Sequence, residues 1–328
     1  MERSRPHPLH RKVDEHTWLI DTGLNRPGHT GCYLVRSGDE LAFVDCGAST
    51  SVPGLLQALQ ELGFRREQVR YILPTHVHLD HAGGAGRLLE LCPAALLATH
   101  HRGLPHLIDP SRLQQGAMAV YGEAAFRRLF GNLVPAPESR CRALEEGDTL
   151  PLGDTALRFL DTPGHANHHG CFFDPRGGNL FTGDTFGLRY PELDAAGRPF
   201  LLATTTPVAF DPDAWNHSLE KMMALEPGRA CLTHFGPLEA PARWLGLLQA
   251  SLETHVRIAL EEEGNPLEGR EERLKEAVKE RILESVQAHG APLGRNEVES
   301  LLKIDIGLNA QGLAVWLARR ARRREKGL

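Results

Sequence analysis

Thr75-His76-Val77-His78-Leu79-Asp80-His81-Ala82-Gly83-Gly84 places three histidines and one aspartate within six consecutive positions. The apolar run before it, Val69 to Leu73, predicts a buried strand, and Arg87-Leu88-Leu89 after it predicts the opening of a helix. The stretch therefore predicts a polar loop between a strand and a helix, with several groups able to bind a metal ion.

The spacing within this loop suggests two metal ions. His76 and His78 are two residues apart and point to the same side of an extended backbone, whereas Asp80 and His81 follow where the chain turns. Imidazoles this close repel one another when protonated, and a bound cation makes the arrangement favourable. A histidine-rich, solvated turn is the alternative interpretation.

Length, charge and cysteine usage set the broad class. The 328 residues allow one large domain with an appendage, or two domains, and the formal net charge of -5 gives no overall attraction to nucleic acid or to an anionic membrane. The polar N-terminal residues 1–8 lead into no apolar signal core, and no later stretch is long and apolar enough to span a bilayer. We expect a cytoplasmic protein without a membrane partner. Its six cysteines form no C-x-x-C pair and are predicted to be reduced core residues.

Other carboxylates and histidines also end predicted strands. These residues are Asp45, His165, Asp184 and His234. Because side chains from strand ends converge at one edge of a sheet, they are expected to lie near the metal loop. Two halves of strands with helices outside, residues 17–99 and 155–235, predict an α/β fold: a four-layer sandwich of helix, sheet, sheet and helix.

Two segments are predicted outside this sandwich. Residues 100–145, rich in Pro and Gly at their edges, are interpreted as a lid or insertion whose His100, His101 and His106 are solvated. Residues 244–328 have helical periodicity, with breaks predicted at 264–266, 290–292 and 307–309. We therefore predict a catalytic domain, 1–243, and a helical C-terminal extension, 244–328, that packs on the sandwich or on a second copy in a homodimer.

The basic run at the C-terminus, residues 319–326, has three interpretations. It can meet a phosphate-bearing acyl carrier such as coenzyme A, it can meet RNA, or it is simply solvated. The solvated interpretation is favoured, so no nucleic-acid partner is expected.

The motif series resembles that of the metallo-β-lactamase-fold hydrolases, over roughly residues 15–240. The resemblance implies that one metal binds His76, His78 and His165, that a second binds Asp80, His81 and His234, and that Asp184 bridges them. It also implies that Asp45 holds the metal loop by hydrogen bonds. Two divalent ions are implied, with Zn²⁺ favoured by the imidazole and carboxylate donors, and with Mn²⁺ or Fe as alternatives.

Within that family the sequence resembles the glyoxalase II, thioesterase and lactonase group, whose members open thioesters or lactones. This implies a metal-bridged hydroxide that attacks the carbonyl of a small-molecule thioester, ester or lactone. Asp80, Asp184 and Tyr190 are the predicted catalytic residues; Tyr190, in a loop leaving a strand end, can contact the substrate or donate to the oxyanion. His29 and Thr204 to Thr206 are similar loop candidates. A metal-dependent phosphodiesterase or ribonuclease, and a mono-iron oxidoreductase of the persulfide dioxygenase type, are the alternatives.

Overall fold

The computed structural model describes residues 10–326, so the predicted polar N-terminus lies outside the described residues. These residues form two compact units. The first contains the described chain up to Asp161, together with His168–Gly183 and Glu226–Glu239; the second contains Thr162–Asn167, Asp184–Leu225 and the described chain from Ala240 onward. No helix among residues 10–326 combines the length and apolarity needed to cross a membrane.

A seven-stranded sheet forms one layer of the first unit, with its strands in chain order. They are β1 (His10–Lys12), β2 (Thr17–Asp21), β3 (Gly31–Ser37), β4 (Glu40–Val44), β5 (Val69–Leu73), β6 (Leu96–His100) and β7 (Cys141–Leu144). Pairing is antiparallel from β1 to β4 and parallel from β4 to β7. Parallel neighbours need crossover connections, and the helices between these strands provide them.

A six-stranded sheet forms the second layer of the first unit, in the order β15-β14-β11-β10-β9-β8. Its strands are β8 (Thr149–Leu152), β9 (Thr155–Asp161), β10 (Gly170–Asp174), β11 (Asn179–Gly183), β14 (Arg229–Leu232) and β15 (Gly236–Glu239). Side chains from the facing sides of both sheets share one core, for example Tyr33, Phe159 and Phe172. Alternation along each strand sends every second residue into this core.

Helices cover the outer face of the seven-stranded sheet. They are α1 (Val52–Glu61), α2 (Leu79–Ala82), α3 (Ala85–Leu91) and α4 (Leu104–Ile108); two further helices follow, α5 (Ser111–Tyr121), which packs on α4, and α6 (Glu123–Phe130), which packs on α5. Leu55 of α1, Leu88 of α3 and Phe43 of β4 pack in one core. Phe43 points towards the helices, whereas the residues beside it in β4 point towards the second sheet. The predicted lid thus supplies α4 to α6, while its last residues form β7 and pair with β6.

The prediction that His100 is solvated is wrong. His100 ends β6 and is buried. Its Nδ1 accepts a hydrogen bond from the backbone of Arg102 at 3.0 Å, and its Nε2 lies 3.1 Å from Asp161 Oδ1. The ring is therefore a hydrogen-bonded core histidine, because a neutral imidazole can satisfy one donor and one acceptor inside the fold.

The second unit is mainly helical. It contains the pair β12 (Leu188–Arg189) and β13 (Leu201–Leu202), followed by the helices α7 (Pro212–Met223), α8 (Leu245–Glu262), α9 (Arg270–His289), α10 (Arg295–Leu301) and α11 (Lys303–Glu325). The helix break predicted at residues 307–309 is wrong, because α11 runs through it. Asn309 is buried, and its tertiary hydrogen bonds outweigh the low helix propensity of glycine and asparagine.

Candidate functional site

The first unit brings three predicted ligands into one cluster: Asp80, His81 and His234. One donor atom from each lies within 4.8 Å of the others. Asp80 Oδ2 is 3.4 Å from His234 Nε2 and 3.7 Å from His81 Nε2. Both imidazoles are buried, whereas the Asp80 side chain keeps 30% of its surface exposed. Two imidazole nitrogens and a carboxylate oxygen at these separations form a donor set that suits a divalent transition metal.

Asp45 holds this cluster in position through hydrogen bonds to the loops that carry it. It follows β4 in the left-handed backbone region, with φ +56°, which aspartate tolerates better than most residues. Its Oδ1 accepts hydrogen bonds from the backbone and hydroxyl of Thr75 at 2.8 and 2.9 Å, and its Oδ2 accepts one from the Thr233 hydroxyl at 2.6 Å. The carboxylate therefore holds the metal loop to the residue that precedes His234.

The same carboxylate sets the tautomer of His81. Asp45 Oδ2 lies 2.8 Å from His81 Nδ1. Because an ionised carboxylate only accepts, Nδ1 carries the proton, and the lone pair of Nε2 faces Asp80. A carboxylate that accepts from one imidazole nitrogen raises the basicity of the other nitrogen, which can bind a metal.

His76 and His78 form a close pair in the same loop. His76 Nε2 is 2.8 Å from His78 Nδ1, and His76 Nδ1 is 3.2 Å from the Thr75 hydroxyl. The two rings thus direct one nitrogen each towards a shared point, as the spacing of two residues predicts. His169, buried in the same unit, places its ring 4.9 Å from that of His76.

His234, predicted to end a strand, lies in a tight turn two residues beyond the end of β14. The strand β14 ends at Leu232 and β15 begins at Gly236, with Phe235 at φ +63° between them. The His29 carbonyl accepts a hydrogen bond from the Phe235 backbone at 3.1 Å, and the His29 ring lies 5.0 Å from that of His234. This tight turn directs His234 towards Asp80.

The second unit holds the other two predicted ligands, His165 and Asp184. His165 Nε2 is 3.5 Å from Asp184 Oδ2, and both side chains are largely buried. Gly164 precedes His165 at φ +137°, and a Cβ there would lie 2.4 Å from the backbone of Trp215 on α7. Only glycine fits, so α7 packs directly on the loop that carries His165.

A backbone carbonyl fixes the His165 ring, as Asp45 fixes His81. His165 Nδ1 lies 2.9 Å from the carbonyl oxygen of Thr204. Since a carbonyl only accepts, Nδ1 carries the proton and Nε2 presents its lone pair towards Asp184. The Thr204 segment thus orients a predicted metal ligand.

Asn309 of α11 holds that segment in place. Its Oδ1 accepts a hydrogen bond from the Thr205 backbone at 2.7 Å, while its Nδ2 donates to the Ala203 carbonyl at 3.1 Å and lies 3.1 Å from His255 Nε2. His255 Nδ1 donates to the Ser251 carbonyl at 2.8 Å, and burial lowers the pKa of His255, so its Nε2 is free of a proton and accepts from Asn309. Sequence reasoning missed this asparagine, which had no metal-ligand pattern around it.

Tyr190 is a core residue, whereas its position in a predicted loop suggested a substrate contact. It is buried within the second unit, and its hydroxyl donates to Asp305 Oδ2 at 2.7 Å. That bond ties the loop after β12 to the first turn of α11. The catalytic role of Tyr190 stays a prediction.

Two cysteines near the predicted ligands are core residues, as expected from the sequence. Cys46 and Cys231 are buried, and burial raises the pKa of both thiols above their usual range. The Cys46 thiol donates to the His81 carbonyl at 3.2 Å. Neither thiol is activated for nucleophilic chemistry, because reactive cysteines need a lowered pKa.

The sequence profile of the Metallo-beta-lactamase superfamily matches residues 25–234, which include all seven predicted ligands. The chain belongs to the metallo-beta-lactamase superfamily. A metallo-beta-lactamase family protein of Thermus thermophilus has the same fold, with a TM-score of 0.65, 22% identity and coverage of 96% of this chain and 95% of that one. The predicted αββα sandwich with a helical C-terminal extension is thereby confirmed.

Curated relatives in this superfamily include two named enzymes. A hydroxyacylglutathione hydrolase of Idiomarina loihiensis is 25% identical over 182 residues, which cover 55% of this chain and 50% of the relative. An atrochrysone carboxyl ACP thioesterase of Aspergillus fumigatus is 27% identical over 158 residues, covering 48% of this chain and 39% of the relative. The matched regions span between 37% and 72% of the length of the curated relatives.

Proposed function

We propose that this metallo-beta-lactamase superfamily member is a dinuclear metal-dependent hydrolase that opens a thioester, or an ester or lactone. The proposal depends most on the cluster of Asp80, His81 and His234, with Asp45 fixed behind His81. The complete proposed ligand set is His76, His78 and His165 for one metal, Asp80, His81 and His234 for the other, and Asp184 for both.

Divalent ions bound by these residues, Zn²⁺ by preference and Mn²⁺ or Fe as alternatives, would lower the pKa of a water molecule to near 7 and polarise the substrate carbonyl. The protein supplies the rest. Asp45 and the Thr204 carbonyl accept from Nδ1 of His81 and of His165, so in each neutral ring the lone pair lies on Nε2 and the ring is held in position. Asp80 is partly exposed, so one of its oxygens can accept a hydrogen bond from the attacking water and orient it. In this mechanism the nucleophile is water, since no side chain needs to form a covalent bond.

The named relatives favour acyl-thiol substrates within this class. One is named a hydroxyacylglutathione hydrolase and another an ACP thioesterase. Both names describe removal of an acyl group from a thiol-bearing carrier. We therefore expect a small acyl thioester to be a better substrate than a phosphodiester. Tyr190 is retained in the proposal as a candidate substrate contact.

A substrate panel tests the proposal. The protein loaded with Zn²⁺, Mn²⁺ or Fe²⁺ is assayed against acyl thioesters, lactones, a bis-aryl phosphodiester and an RNA oligonucleotide. We expect thioester hydrolysis that disappears on chelation and returns with metal. Hydrolysis of the phosphodiester or RNA alone, or oxygen consumption by the iron form, would replace the proposal with one of its alternatives, and activity that survives thorough chelation would end it.

The Asn309 network gives a second prediction. Asn309→Ala removes the acceptor for the Thr205 backbone N–H and the donor to the Ala203 carbonyl, so the segment that orients His165 loses its anchor on α11. We expect the affinity for one of two metals to fall about tenfold. Leaving the buried partners unsatisfied should also lower the free energy of unfolding by about 1–3 kcal/mol. Metal titration and urea unfolding measure both effects.

The matched control for Asn309 is Asn296→Ala on α10, an exposed asparagine. It should leave metal affinity unchanged. Asn309→Asp keeps the acceptor for the Thr205 backbone and should fall between the alanine variant and the unmodified protein. Equal metal affinity in all of these proteins would contradict a positioning role for Asn309.

A further inference from the structure

A cleft rich in arginine lies within the second unit. The first turn of α7 and the C-terminal part of α11 enclose a cavity of about 260 Å³. Arg319, Arg320, Arg323 and Arg324 line it together with Trp316. These positions recur every three or four residues, so they form one face of α11 that is turned towards α7.

The contacts of these arginines leave donors for a ligand. Arg319 Nη1 donates to the carbonyls of Val208 and Phe210 at 3.1 Å each, which fixes its guanidinium without neutralising it. Arg320 and Arg324 share a single carboxylate, Glu263, at 2.9 and 3.1 Å. Each guanidinium has five N–H donors, and these contacts use only one or two of them.

Negative groups in the cleft do not cancel this charge. Asp211 and Asp213 also line it, and the Asp211 side chain caps α7 by accepting from the Ala214 backbone at 3.1 Å. With Glu263, three carboxylates face four guanidinium groups. Arg323 has no ion pair among the described residues 10–326. The cleft therefore has an excess positive charge centred on Arg323, as an anion site requires.

Trp316 adds a flat surface to the charge. The Arg320 guanidinium carbon lies 5.7 Å from the Trp316 ring centroid, so an aromatic plane and a cationic plane meet in the cleft. Guanidinium groups bind phosphate oxygens in a bidentate manner, and both arginine and tryptophan stack on nucleobases. Arginine beside tryptophan therefore suits a ligand that has both a phosphate and a nucleobase, such as a phosphorylated nucleoside, better than a simple carboxylate.

The cleft is joined to the loop that carries His165. Arg319 binds the carbonyl of Phe210, and the backbone N–H of the next residue, Asp211, donates to the Gly164 carbonyl at 2.8 Å. Gly164 directly precedes His165. Within the second unit, the wall of the cleft and a proposed metal ligand thus belong to one hydrogen-bonded segment.

We propose that this cleft binds the phosphorylated nucleoside head of a coenzyme A-type acyl thioester. The inference rests on the proposed function and narrows it to one class of carrier. The head would anchor in the cleft through Arg323 and its neighbours, and the flexible arm would keep the acyl group near the His165 loop. Binding of the head is electrostatic and therefore weakens as salt is added.

Charge reversal with a matched control tests the cleft. Arg323→Glu changes the charge inside it, whereas Arg322→Glu makes the same change on α11 outside its lining. Adenosine 3′,5′-bisphosphate binding to the whole chain is measured by calorimetry. We expect Arg323→Glu to weaken binding at least about tenfold and Arg322→Glu to change it little.

Hydrolysis separates this inference from the proposed function. An acyl coenzyme A and the same acyl group on N-acetylcysteamine are compared. Arg323→Glu should raise KM for the first about tenfold at unchanged kcat and leave the second unaffected. If the unmodified chain binds the bisphosphate, Arg323→Glu loses this binding and neither thioester is hydrolysed, the assignment of the cleft is supported and the proposed function is rejected. No bisphosphate binding, equal effects of both variants, or salt-sensitive RNA binding in its place would overturn the inference.

Discussion

Asp45→Ala should lower the free energy of unfolding by about 3–5 kcal/mol, because it removes the acceptor of several buried hydrogen-bond donors at once. Asp45 is buried, and its two oxygens satisfy the Thr75 backbone, the Thr75 and Thr233 hydroxyls and His81 Nδ1. Alanine would leave these buried groups without their acceptor, and each such group costs about 1–3 kcal/mol. Urea unfolding of the metal-free protein measures the effect without a contribution from bound metal.

The same variant should lose metal. Without the carboxylate, His81 Nδ1 loses the acceptor that favours a lone pair on Nε2 towards Asp80, so affinity for the metal at Asp80, His81 and His234 should fall about 10–100-fold. Asp45→Asn keeps one acceptor oxygen and should recover part of the stability but little of the affinity. A variant that unfolds at the normal urea concentration with its full metal content would show that Asp45 does not hold the loop.

Asp184→Ala should reduce turnover by more than the roughly 100-fold loss that follows removal of a group hydrogen-bonded to a ligand. Its carboxylate is the proposed shared ligand of both metals and lies 3.5 Å from His165 Nε2. Metal content, measured on the purified variant, should fall below two ions per chain. Circular dichroism should stay unchanged, because Asp184 does not belong to a helix or strand.

The control for Asp184 is Glu220→Ala, which removes an exposed carboxylate from α7 in the same unit. It should retain both metals and full turnover. If Asp184→Ala also retained two metals and normal turnover, bridging by Asp184 would be excluded, and the assignment of the ligand set would need to change.

The elements around the proposed ligands could be predicted because their patterns are local. The apolar run Val69 to Leu73 is β5 with the predicted bounds, and the glycines after His81 are followed by α3. The order of strands and helices in residues 17–99 follows from such runs. Errors came where tertiary contacts outweigh local preference, as at residues 307–309 of α11 and at the buried His100.

Asp45 apart, the groups that orient the ligands could not be predicted from the sequence. Thr233 is 188 residues from Asp45, and Asn309 is 104 residues from Thr205. Threonine and asparagine occur throughout a chain as turn and surface residues, so their type alone gives no sign of a long-range partner. Only the folded chain shows which carbonyl or carboxylate each imidazole meets.

The sequence by itself determined the donor chemistry, the family motifs and the order of the elements, because residue type and periodicity are properties of neighbouring positions. The tertiary structure decided the tautomers of His81 and His165, the role of Asn309 and the arginine face that meets α7. Each of these depends on distances between residues far apart in the chain, and such distances are set by packing.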